Sequence, residues 1–132
     1  MLTKTAVAAF LLMLCVSTAF AGDRLGVAVY PGAQYDLDRT KLLKDSLSVE
    51  GAAYRTGDAM AKVTAFYRKQ GLLFLKMGGA ADNVARFKKV DGDVDVVVQS
   101  PWKDAKTGAT MTDTLILIYR KAEKGSKPDV SI

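Results

Sequence analysis

Met60, Val63, Phe66 and Tyr67 recur at helical spacing between about Ala59 and Gln70, making one apolar stripe. Most of the remaining apolar residues fall in the two-residue rhythm of strands. A chain with one strongly amphipathic helix and several half-buried strands has few ways to bury both. The helix must lie on a sheet, which predicts an α+β fold with one main helix packed on a mostly antiparallel sheet of about four to six strands. Gly71 follows as the residue that turns left-handed past a helix end, and Arg68 and Lys69 suit the negative end of the helix dipole. At the other end, Asp58 is placed as N-cap, with Thr56 the alternative. The helix amides beside Arg55, Thr56 and Gly57 also suit an anion, but a capping carboxylate would take those amides first.

The strands are read from alternation and from what interrupts it. Leu25, Val27 and Val29 alternate with Gly26 and Ala28 and stop at Pro31-Gly32, the residues of a type II turn. Residues 37–47 mix charge with Leu42, Leu43 and Leu47 and read as a loop or a short helical turn. A second strand, Leu47 to Ala53, carries a weak point at Gly51. Residues 72–77 read as a buried strand or an apolar return, broken by Gly78-Gly79. Asp91-Gly92 between Phe87/Val90 and Val94/Val96/Val98 is a hairpin signal. Leu115 to Ile118 are apolar on both faces, as in an interior strand. No repeat or linker divides residues 22–123, which read as one domain; residues 124–132 read as a flexible basic tail.

The first 21 residues have one charge (Lys4), an apolar run from Ala6 to Val16 and the small-residue ending Ala19-Phe20-Ala21. That is the pattern of a signal peptide cut before Gly22, which implies a periplasmic or secreted protein. The run is shorter than the ~20 apolar residues a spanning helix needs, so no transmembrane segment is expected in the mature chain. A lipoprotein acylated at Cys15 is disfavoured by Leu14, which stands where a small residue is required. Cleavage would leave 111 of the 132 residues, enough for one core. With Lys4 gone, the formal net charge falls from +5 to +4.

Cys15 is the sole cysteine and there is no histidine. The mature chain therefore has no thiol nucleophile, no Ser-His-Asp triad, and no thiolate or imidazole ligand for zinc or haem. No cofactor is expected, and catalysis is left to carboxylates, Lys, Tyr or Ser. Asp91, Asp93 and Asp95 resemble the opening of a calcium loop. Val96 and Trp102 then occupy the positions that need glycine and a bidentate glutamate, which leaves these aspartates a weak metal alternative. Trp102, followed by Lys103, is either an exposed indole that grips a sugar or a partner, or a loop tryptophan folded over the sheet edge, the commoner use. Tyr30, Tyr54 and Tyr67 are candidates to line a pocket between helix and sheet. The spread of basic residues (Arg86, Lys88, Lys89, Lys103, Lys106, Arg120, Lys121, Lys124, Lys127) suits an unknown protein or an anionic envelope component. Nucleic acid is not expected, since export removes the protein from it and no aromatic-basic motif is present.

The segments "VYPGA" (Val29 to Ala33), "YRTGD" (Tyr54 to Asp58) and "VTAFYRKQG" (Val63 to Gly71) resemble small exported bacterial proteins and lipoproteins of uncharacterised families. "QSPWKDAKTG" followed by "DTLILI" is similar to their C-terminal hairpin. The resemblance implies export and an α+β fold, and carries no activity or functional residue with it. The expectation is an exported, non-enzymatic binding or accessory domain of the cell envelope, with Trp102 and its loop as the contact. The alternatives are a small-molecule or envelope-component binder using the tyrosine pocket, and a carboxylate-based hydrolase.

Overall fold

The computed structural model describes residues 22–78 and 83–122, so the signal-peptide and basic-tail assignments lie outside the described residues. A six-stranded antiparallel sheet forms the middle of the molecule, with a helix on each face. Its strands are β3 (Gln34–Tyr35), β4 (Val49–Thr56), β5 (Leu73–Gly78), β6 (Val84–Lys89), β7 (Val94–Gln99) and β10 (Thr114–Lys121), in the spatial order β3-β4-β10-β7-β6-β5. Two short hairpins complete it: β1 (Asp23–Arg24) with β2 (Val27–Ala28), and β8 (Trp102–Lys103) with β9 (Thr110–Met111). The helices are α1 (Leu37–Leu47) and α2 (Met60–Arg68). This is the α+β arrangement that the single amphipathic stripe required.

The interior strand is β10. It pairs along its length with β4 and on its other side with β7, so that Ile116 faces Tyr54 and Val98. Ile116 and Ile118 are fully buried under α2, whose Val63 and Tyr67 have no exposure at all. On the opposite face Leu115 and Leu117 pack with Ala53, Trp102 and Met111. Pro31-Gly32 makes the expected turn: the Ala33 amide donates to the Tyr30 carbonyl at 3.0 Å, with Gly32 at φ +87°. The Asp91-Gly92 hairpin also forms, closed by a hydrogen bond from the Asp93 amide to the Val90 carbonyl.

Several local expectations change. Residues 72–77, expected as a buried strand or an apolar return, form the edge strand β5 with Leu73 and Leu75 exposed. Residues 37–47 form an 11-residue helix rather than a loop or a single turn. Asp36 caps it by accepting from the Arg39 amide at 2.9 Å, and only Leu43 is fully buried, which is why no stripe announced it. The alternation from Leu25 to Val29 is interrupted by a tight turn at Leu25-Gly26, both with positive φ, which folds residues 23–28 into a hairpin. Asp58 does not cap α2. Ala59 holds the N-cap position without a side-chain bond, while the Asp58 carboxylate accepts the Tyr30 hydroxyl at 2.6 Å. A tertiary partner has taken the oxygen that local geometry would have spent on the helix.

Gly51 pairs with Tyr119 of β10, which leaves no room for a side chain there. A β-carbon there would fall on the Ile118 carbonyl oxygen and 2.6 Å from the Tyr119 α-carbon, so any side chain must push the two central strands apart. We expect Gly51→Ala to cost about 3 kcal/mol, the upper range for overpacking. The urea midpoint measures it, and an unchanged midpoint would mean that the strands separate there at no cost.

Candidate functional site

The most concentrated chemistry gathers on the α1 face, around the tryptophan. Asp36, at the start of α1, accepts the Arg39 amide and guanidinium on one oxygen and the Arg55 guanidinium, at 3.4 Å, on the other. Arg39, one turn into the helix, also reaches across to Asp104 after β8. Arg55, on β4, donates through Nε to Asp113 at 2.7 Å. The other Asp113 oxygen takes the Trp102 indole N–H at 3.0 Å. The Arg39 and Arg55 guanidinium carbons lie 5.4 and 4.9 Å from the centre of the indole, within cation–π range. Two cations, three carboxylates and one indole thus form a connected cluster in which each charge has an opposite partner, as charges withdrawn from water require.

The protonation states follow from these bonds. Burial acts to raise the Asp36 pKa, but the Arg39 amide and guanidinium and the Arg55 guanidinium outweigh it and hold the carboxyl below its usual range. Asp104 is held low first by the Lys106 amide and then, against desolvation, by Arg39 and Thr107. Its bond to Asp113 keeps Arg55 raised against the pull of burial. Carboxyls held ionised in this way do not supply the proton that a general acid must give.

Beside the cluster is a cleft of about 560 Å³ between the Gly32–Asp38 segment and the end of β4 with Gly57 after it, lined also by Asp113. Tyr35 and Leu37 stand at its mouth, 50% and 55% exposed. Asp36, Arg55 and Asp113 supply its less exposed polar lining, and Asp38 adds an exposed carboxylate. No protein-family model, curated protein or solved structure matches this chain. Its own geometry is what bears on function.

Of the residues singled out from sequence, Trp102 is only 4% exposed and its indole packs on Ala53 and Leu115: the folded-over tryptophan is the use observed, and the exposed grip is corrected. Lys103 beside it is exposed. Tyr30, Tyr54 and Tyr67 do come together, but as core rather than as a pocket wall. The Tyr67 hydroxyl accepts from the Tyr30 amide at 3.0 Å and donates to the Ala28 carbonyl at 2.8 Å, while the Tyr54 hydroxyl accepts from Arg24. The hydrogen bond to Asp58, with burial, pushes the Tyr30 phenol up to about 12. Asp93 and Asp95 are both engaged by Lys88 Nζ, at 2.7 and 3.4 Å, and Asp91 lies 3.8 Å from Lys89. Among the described residues no group of three or more acidic, cysteine or histidine side chains is placed to hold a metal, and no helix is long and apolar enough to cross a membrane.

Sequence reading passed over Asp36, Arg39, Asp104 and Asp113. The cap pairing of Asp36 with a residue three further on was a readable signal; the contacts of Arg39 with Asp104 and of Arg55 with Asp113, 65 and 58 positions apart, left none.

Two outcomes follow from the cluster. Trp102→Ala should lower stability by about 3–5 kcal/mol, the cost of emptying a buried tryptophan site, measured by denaturant unfolding; a wild-type midpoint would place the indole outside the core. Acid should also weaken the fold. Asp36 and Asp104 titrate lower in the folded chain than unfolded, so their contribution is complete above the ordinary carboxylate value of about 3.9. It is lost as pH falls through their depressed folded values. Asp36→Asn keeps a capping side chain but no charge, and should give a shallower acid limb below about pH 4.

Proposed function

We propose that the protein is an exported, non-enzymatic binding domain of the cell envelope that holds a partner protein at the cleft between β3 and α1. The observation that carries this reading is the half-exposed pair Tyr35 and Leu37 beside a guanidinium fixed by two carboxylates. Aromatic and arginine side chains concentrate where interfaces are tightest. Here the arginine is already oriented by Asp36 and Asp113, so little side-chain freedom remains to be lost on association. The leader pattern, the absence of histidine and the lack of cysteine after residue 15 support export and action by surface rather than by covalent chemistry.

A small molecule in the same cleft is the second reading, favoured by a volume within the roughly 300–1,000 Å³ of ordinary ligand sites. One pair of variants addresses both. Tyr35→Ala with Leu37→Ala should leave the melting temperature close to wild type, because both side chains are half in water, yet abolish capture of the partner from envelope extracts. Undiminished capture would remove the cleft as the contact. A metabolite that raises the wild-type melting temperature but not that of the double variant would favour the small ligand.

A further inference from the structure

At the far side of the sheet from the cleft, β5 is an edge strand with an unusual surface. Leu73 and Leu75 are 53% and 44% exposed, and Val90, in the adjoining β6–β7 turn, is 70% exposed. Leu73 and Val90 flank a groove of about 550 Å³ that runs between the β1–β2 hairpin and that turn. The α1 face of the sheet is open here, where Arg86 on β6 is exposed; on the other face Lys69, at the end of α2, is exposed as well. Charge around the patch is mixed, with an excess of cations. Lys88 and Lys89 pair with Asp91, Asp93 and Asp95, one carboxylate more than they neutralise, whereas the three cations Arg68, Lys69 and Arg86 enter no ion pair among the described residues and leave the surroundings net positive.

We propose that this β5 edge, together with the β6–β7 turn, is a docking surface for an anionic phospholipid bilayer. Projecting aliphatic side chains that enter the headgroup zone, with uncompensated cations beside them at phosphate level, are how a peripheral protein holds such a surface. The two other ways of covering an apolar edge are opposed by features of the same strand. A register shift between Phe74 and Lys76 breaks the regular ladder that strand addition needs. A two-fold contact with a second copy would set the unpaired cations of one patch against those of the other. The surface is separate from the cleft, which lies against the opposite edge strand. The proposal shares with the functional reading only the assumption of export, which brings the chain to a membrane.

The test is flotation of the protein recovered from its producing cells, with the first residue fixed by intact mass. Vesicles of phosphatidylglycerol with phosphatidylethanolamine are compared with pure phosphatidylcholine. The protein should float with the anionic vesicles, should stay behind with phosphatidylcholine, and should be released by ~0.5 M salt as screening shortens. Leu73→Glu with Val90→Glu, and separately Arg86→Glu, should each weaken partition roughly tenfold while leaving the melting temperature in place. Flotation that is absent, equal on both lipids, or unmoved by salt and by both variants overturns the proposal. So does a dimer in sedimentation that the same substitutions dissociate. The Tyr35→Ala, Leu37→Ala variant should float as wild type, so that failure of the cleft reading and failure of this one give different results.

Discussion

The structure depends on one strand being wanted on both faces. β10 runs between β4 and β7, and its apolar residues alternate so that Ile116 and Ile118 point to one side and Leu115 and Leu117 to the other. Two covers are therefore needed. One is α2, whose Val63 and Tyr67 bring the apolar area that burial rewards. Among the described residues there is no second helix of that quality. The other face is closed by α1, with Leu43 alone fully buried, and by the short hairpin that delivers Trp102. A weak helix and a two-residue ladder cannot hold by apolar area alone.

Charge makes up the difference. Asp36 caps α1 and ties it to β4 through Arg55; Arg39 ties the same helix to the loop after β8; Asp113 joins Arg55 to the indole. A cluster of this kind is sensitive to loss of any member, because a remaining charge is left without its partner in a place where water is scarce. It also explains the cleft. Fixing Asp36 at the start of α1 against Arg55 on β4 leaves Tyr35 and Leu37 projecting from a backbone with little freedom to withdraw them. Stability and a pre-formed surface come from the same bonds.

The two edges of the sheet are treated differently. β3 is two residues long and runs directly into the capped helix, so its side of the molecule is rigid and polar. β5, roughly 24 Å away across five strand spacings, is longer, irregular and rich in exposed aliphatic side chains. A bulge and nearby basic residues are the ordinary devices against unwanted strand addition. They leave such an edge free to meet a surface that is not a strand.

Local rules determined a large part of this from the residues alone. The stripe of α2, the Pro31-Gly32 and Asp91-Gly92 turns, and the two-sided burial of 115–118 are each dictated within a dozen residues, and each is present. Tertiary structure decided what short range could not. Asp58 looked like a cap until Tyr30, 28 positions away, took its carboxylate, and of the two uses open to Trp102 the commoner one, folded against the sheet, is the one Ala53, Leu115 and Asp113 impose. The candidate site itself was scarcely legible, because its ion pairs join residues as far as 65 positions apart that only the sheet brings side by side. Periodicity reports which side of an element is apolar; which distant charge meets it is set by strand order, and strand order leaves no local trace.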